Sequence, residues 1–183
     1  MTDAIYGFDF GILDFIRENM TCPFMDILMG IFTRVGNYGI LWIAIAVIMM
    51  FSKKYRRTGI IMAVGLVIML ITGNLLMKNL IARDRPFIQR PETWLAIAQP
   101  FGYSFPSGHS FSSFTSAAIL SRRGKWWAVF SILTAVFIAF SRLYFYVHFP
   151  TDVICGCIFG LILGSAVYSV LDKRLEEKIA QNL

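Results

Sequence analysis

The sequence is poor in charge, poorer in histidine, and has no cluster of metal-binding side chains. Only 15% of its 183 residues are charged, 11 of them acidic, and just two are histidine. With 57% hydrophobic residues and a mean hydropathy of +0.64, so little charge excludes an ordinary soluble domain. The three cysteines, Cys22, Cys155 and Cys157, make no metal pattern. Cys155 and Cys157 lie two apart on an expected helix and point to different sides, so all three read as apolar filler. The N-terminus lacks a basic start and a small-residue cleavage site, so no cleavable signal is expected. The net charge of +6 would suit nucleic acid, but the basic residues sit in clusters between apolar runs, a membrane pattern that argues against that partner.

What the chain has in quantity is apolar length. Runs at residues 38–51, 59–77, 126–140 and 153–170 approach the roughly 20 residues that a helix needs to cross a bilayer. The expected architecture is an all-α integral membrane protein. It is a helical bundle of about five transmembrane helices, preceded by amphipathic helices lying in the interface. Residues 1–37 are expected to form those interfacial helices, 38–171 the transmembrane core and 172–183 a cytoplasmic tail. Residues 4–19 alternate apolar and acidic positions at helical spacing, and Pro23 opens a second amphipathic piece reaching residue 35. Asp26 and Arg34 favour the interface for that piece; a separate crossing there would make six spans.

Three basic clusters set the orientation. Lys53, Lys54, Arg56 and Arg57, then Arg122, Arg123 and Lys125, then Lys173 and Arg174 belong on the cytoplasmic side by the positive-inside rule. Spans at 38–51, 59–80, 107–120, 126–146 and 151–171 then alternate in direction, and segments 81–107 and 142–151 both face the extracytoplasmic side. The 107–120 helix is about 21 Å long at about 1.5 Å per residue, shorter than a hydrocarbon core of about 30 Å. Its first residues therefore sink into a protein-lined cavity. Gly156, Gly160 and Gly164 recur every four residues and form a ridge that another helix can approach closely.

Chemistry concentrates on that outer side. Phe105-Pro106-Ser107-Gly108-His109-Ser110 is a turn into a helix, whose first N–H groups lack internal partners and make an anion site beside His109. Lys78 and Arg85, seven apart, share one face of a continuing helix that Pro86 ends. Arg83 and Asp84 between them read as a local surface ion pair. Arg142 and His148 flank a turn between two helices. Pro150 suits the first turn of the next, so Asp152 lies just inside it and can reach a ring nitrogen of His148. Such a carboxylate fixes the imidazole tautomer and leaves the other nitrogen free to attack. Three cations, an open helix N-terminus and an Asp-paired histidine match a phosphate dianion, whose oxygens need donors from several directions. Phe87, Trp94, Phe101, Tyr103 and Phe105 read as an aromatic belt, with a headgroup gate as the alternative.

Lys78-x6-Arg85-Pro86, Pro106-Ser107-Gly108-His109 and Ser141-Arg142-x5-His148-x3-Asp152 together resemble all three motifs of the type-2 phosphatidic acid phosphatase family. That superfamily also includes bacterial acid phosphatases and vanadium haloperoxidases. The likeness runs over about residues 57–171 with no departure at a motif position. It implies an acid phosphatase/haloperoxidase-like core and a metal-independent lipid phosphatase with no cofactor. His148 would attack phosphorus, Asp152 would orient it, and His109 would protonate the leaving oxygen and then activate water. Lys78, Arg85, Arg142, Ser107 and the Gly108 amide would hold the phosphoryl oxygens. The first 37 residues are too short for the extra N-terminal span of six-helix members. The short chain is similar to bacterial undecaprenyl diphosphate phosphatases, which implies the cytoplasmic membrane with an outward-facing site. Phosphatidylglycerophosphate or phosphatidate are alternative substrates, because the motifs grip phosphate and not tail. A silent protein that binds or moves anionic lipid is the reading from another class. Transport needs the cations but has no use for paired histidines.

Overall fold

The computed structural model describes residues 2–93 and 95–181, with side chains described for 4–93 and 95–173. Helix α1 (Thr2–Met20) is followed by α2 (Pro23–Gly36), a short 3-10 turn at Asn37–Gly39, and α3 (Ile40–Phe51). Then come α4 (Arg56–Met69), α5 (Gly108–Leu120), α6 (Lys125–Tyr144) and α7 (Pro150–Gln181). There is no strand among the described residues. Four segments are long and apolar enough to span a membrane: Pro23–Phe51, Arg56–Gln89, Lys125–Tyr144 and Pro150–Lys173. The protein is a multi-pass, all-helical membrane protein.

The fifth expected crossing, α5, has only 13 residues and is the centre of the bundle. Ten of those residues are buried, several of them Ser, Thr or Ala, because α3, α4, α6 and α7 surround it. Small residues let backbones approach without a large side chain between them. The expected glycine ridge does this work on α7. A Cβ at Gly156 would lie 2.8 Å from the Ser107 carbonyl oxygen, and one at Gly160 would lie 2.7 Å from that of Phe111. Only hydrogen fits there.

Residues 23–35 lie in α2, which runs through the 3-10 turn into α3 without an intervening loop. The segment α2–α3 is a 29-residue unit bent at Tyr38, which sits at φ 53° and ψ 13°. Its first half packs along α6: Tyr144 donates to Asp26 at 2.6 Å, and Phe32 stacks on Phe137 with centroids 4.8 Å apart. Cys22, expected as filler, is exposed at the start of α2, whereas Cys155 and Cys157 are half-buried; all three are free thiols.

The basic clusters gather at one end of the bundle. Arg57 pairs with Asp172 at 2.7 Å, Arg122 lies over the Tyr168 ring and Arg123 over that of Tyr55. Arg174 lies outside the described side chains. The opposite end carries the turn between α6 and α7, the start of α5, and α1, whose Tyr6 and Phe10 pack edge-on against Phe149. The outer-loop aromatics do not form one belt. Phe87 is buried in a cluster with Tyr144 and Phe145, Phe105 packs on Phe159, and Phe101 is 98% exposed. Trp94 lies outside the described residues.

Candidate active site

A cavity of about 1130 Å³ opens at the end away from the basic clusters. Lys78, Arg85, Gly108, His109, Arg142 and His148 all line it, so segments far apart in sequence converge on one space. A second limb runs between α3 and α4 past Ile43, Val47, Val67 and Leu70 and is apolar.

The α4 rod does not carry Lys78 and Arg85 on one face. Wider π-type turns occupy Leu70–Met77, the last turn is Lys78–Ile81, and Ala82 ends the helix at φ 47°. Pro86 is the reason. It disfavours helical geometry in the residue before it, so Arg85 is extended (φ −79°, ψ 157°), and Pro86 opens a new turn instead of closing the old one. Lys78 Nζ donates to the Tyr103 carbonyl at 3.0 Å. Arg85 is 2% exposed and donates to the carbonyls of Gly102 and Val147, both at 2.8 Å, which fixes its fork. Its Nη1 also lies 3.2 Å from His148 Nε2. Arginine always donates, so that contact assigns the lone pair to Nε2 and the proton to Nδ1.

His148 lies in the turn between α6 and α7, outside both long apolar helices. Burial, followed by the charges of Arg85, Lys78 and Arg142, holds its imidazole well below the usual histidine value. It is therefore neutral and can act as a nucleophile. Asp152 is close but not directly bonded: its Oδ2 is 3.6 Å from His148 Nδ1. Ser104 stands between them, donating to Asp152 Oδ2 with its Oγ 3.4 Å from His148 Nδ1. The carboxylate also accepts the Phe149 N–H at 2.9 Å. Sequence reasoning missed Ser104, whose only signal is its place three residues before Ser107.

Arg83 corrects a second expectation. It does not pair with Asp84; its two terminal nitrogens bridge Asp9 and Asp152, each at 2.7 Å. Asp9, wholly buried, also accepts from the Thr151 N–H at 3.0 Å and its hydroxyl at 2.7 Å. An acid read from sequence as part of the polar face of α1 thus reaches the back of the site.

At the start of α5, Ser107 is fully buried and its Oγ accepts from the Ser110 backbone N–H at 3.4 Å, which makes it the helix cap, and from the Ser110 hydroxyl at 3.0 Å. It does not line the cavity; Gly108 and His109 do. His109 Nε2 sits 3.1 Å from Asn37 Oδ1, which assigns a proton to that nitrogen. Gly36 lies close against the ring, since a Cβ there would be 2.9 Å from His109 Cδ2. Arg142 donates to the Thr33 hydroxyl, while its buried Nε has no partner among the described residues. An orphan guanidinium donor at a cavity wall is a place for an anion. Among the described residues no three His, Cys, Asp or Glu side chains are grouped to hold a metal ion.

An all-helical membrane bundle with this arrangement of cations and histidines defines a class, and comparison with known proteins agrees with it. A profile of the PAP2 superfamily matches residues 56–176. The chain is 32% identical over 157 residues to an undecaprenyl-diphosphatase of Sulfolobus acidocaldarius, covering 84% of this chain and 74% of that one. It is 30% identical over 160 residues to a lipid A 4'-phosphatase of Porphyromonas gingivalis, covering 81% and 66%. The fold superposes on the crystal structure of a transmembrane PAP2-type phosphatidylglycerolphosphate phosphatase from Bacillus subtilis with a TM-score of 0.77 and 27% identity. That match covers 93% of this chain and 87% of the other. The chain belongs to the PAP2 superfamily and is a lipid phosphatase.

Proposed function

We propose that the protein hydrolyses undecaprenyl diphosphate to undecaprenyl phosphate through a phosphohistidine, without a metal, at the outer face of the cytoplasmic membrane. The cavity carries this reading: one space offers three cations and two histidines for a phosphate and continues as an apolar limb suited to a long tail. His148 Nε2 forms a bond to the terminal phosphorus as the bridging P–O bond breaks, and that electron pair stays on the departing lipid phosphate. His109 gives a proton to the departing oxygen. It then takes one from the water whose oxygen displaces nitrogen from phosphorus, releasing inorganic phosphate. Lys78, Arg85, Arg142 and the Gly108 amide hold the equatorial oxygens, where charge stabilisation contributes most. Asp152, through Ser104, stabilises the cationic form of His148. Ser107 contributes by capping α5 and presenting its first amides.

Charge supports the outward-facing side of the membrane. Lys53, Lys54, Arg122 and Arg123 stand at the end opposite the cavity, and basic loops stay in the cytosol. The sequence similarity to an undecaprenyl-diphosphatase favours that substrate. The fold match to a phosphatidylglycerolphosphate phosphatase makes phosphatidylglycerophosphate the second reading.

Purified protein in detergent and EDTA is expected to release phosphate from undecaprenyl diphosphate faster than from phosphatidylglycerophosphate or phosphatidate. His148→Ala is expected to abolish release from all three. Turnover by that variant would remove His148 as nucleophile, and loss of wild-type activity in EDTA restored by Mg²⁺ would remove the metal-free scheme.

A further inference from the structure

One turn of α2, outside all three motifs, faces the chemistry. Thr33 accepts from Arg142, Gly36 lies against the His109 ring, and Asn37 bonds His109. Arg34 belongs to this turn and lines the same cavity. Its side chain is exposed, and its guanidinium makes no hydrogen bond or ion pair with any described residue. An exposed guanidinium without a protein partner on the wall of this cavity is placed to meet an anion.

We propose that Arg34, with Asn37 beside it, forms a subsite for the second phosphate of a diphosphate lipid, the one that departs with the tail. This rests on the phosphatase reading above. The side of phosphorus from which the leaving group departs is the side on which His109 stands, because His109 supplies the proton. Asn37 holds His109, so the departing oxygen leaves toward α2. When His148 takes the terminal phosphoryl group, the bridging oxygen keeps the bond's electron pair and receives the His109 proton. The lipid phosphate that departs still carries negative charge, and Arg34 is the cation of α2 that lines the cavity there. The apolar limb begins at the same place, where α3 follows α2. A monoester such as phosphatidate has no phosphate on its leaving side, so Arg34 has nothing to hold. The subsite is thus a device for choosing diphosphates over monoesters.

The test compares wild type, Arg34→Gln and Arg34→Lys on undecaprenyl diphosphate and phosphatidate in detergent micelles. A hydrogen bond to a charged group is worth about 1.5–3 kcal/mol, or about ten- to a hundredfold. Arg34→Gln is therefore expected to lose at least about tenfold more kcat/KM on the diphosphate than on phosphatidate, with Arg34→Lys recovering part. Inorganic pyrophosphate should also inhibit wild type more tightly than inorganic phosphate does, and Arg34→Gln should erase that difference. Equal losses on both lipids, or none, with unchanged inhibition, would overturn the subsite and leave Arg34 as an anchor to bilayer phosphates. Wild type that turns over phosphatidate but not the diphosphate would overturn the substrate reading, and the subsite with it.

Discussion

At the scale of single residues, the contacts give the two imidazoles opposite tautomers, and the proposed scheme asks them to work in different protonation states. The Arg85 contact keeps Nε2 of His148 unprotonated, while the Asn37 contact keeps a proton on Nε2 of His109. The rate is therefore expected to be bell-shaped in pH. Protonating His148 stops attack, so activity falls on the acid side. Burial and neighbouring cations push that limb below the usual histidine range. Deprotonating His109 removes the acid, so activity also falls on the alkaline side. Measurement of kcat against pH, with chemistry rate-limiting, checks both limbs. A diphosphate leaves as a stabilised phosphate, whereas a monoester leaves as a poor alkoxide that needs the proton more. His109→Asn is accordingly expected to slow phosphatidate more than undecaprenyl diphosphate; equal losses would count against His109 as the acid.

At the scale of elements, α1 is tied directly to the catalytic end. Asp9 joins the start of α7 and, through Arg83, the carboxylate behind His148. Arg90 makes a second tie, pairing with Asp14 at 2.8 Å while its guanidinium lies over the Phe10 ring. Asp9→Asn leaves Arg83 short of one partner in a buried network, where removing a charge is more harmful than its absence from the start would be. The expected result is a lower melting temperature in detergent together with a lower kcat at unchanged KM, read by a thermal scan and steady-state kinetics. At the other major contact, Gly160→Leu drives a side chain into the Phe111 and Thr115 backbone of α5. Overpacking costs about 1–3 kcal/mol where neighbours can shift, and backbone cannot shift easily. The variant is expected to melt well below wild type and to lose activity, since α5 carries His109.

At the scale of the whole molecule, the basic loop clusters and the cavity occupy opposite ends of one bundle. The turn at 52–55 and that at 121–124 share the basic end, and the cavity opens at the other. A single cysteine placed at Ser52, with Cys22, Cys155 and Cys157 replaced by serine, is expected to react with an impermeant maleimide only after cells are opened. One placed at Phe101, beside the cavity, is expected to react in intact cells. The reverse pattern would place phosphate release in the cytosol. Under the proposed function a long lipid need not leave the bilayer: its phosphate would reach the cations while its tail stayed along the apolar limb between α3 and α4.

The sequence by itself determined the membrane setting, the helical class and the residues that converge, because apolar length, basic clusters and the three spaced motifs are local properties of the chain. It also marked the glycine ridge, since a four-residue period is legible without a partner helix. What surrounds those residues was decided only by tertiary structure. Asp9, Thr33 and Asn37 come from a part of the chain with no motif, and each gains its role by lying against a residue roughly 70 to 140 positions away. Arg83 and Ser104 were near the motifs but ambiguous, as an arginine's reach and a serine's hydroxyl serve many partners. The partner is chosen by packing in three dimensions, and sequence spacing carries no record of it.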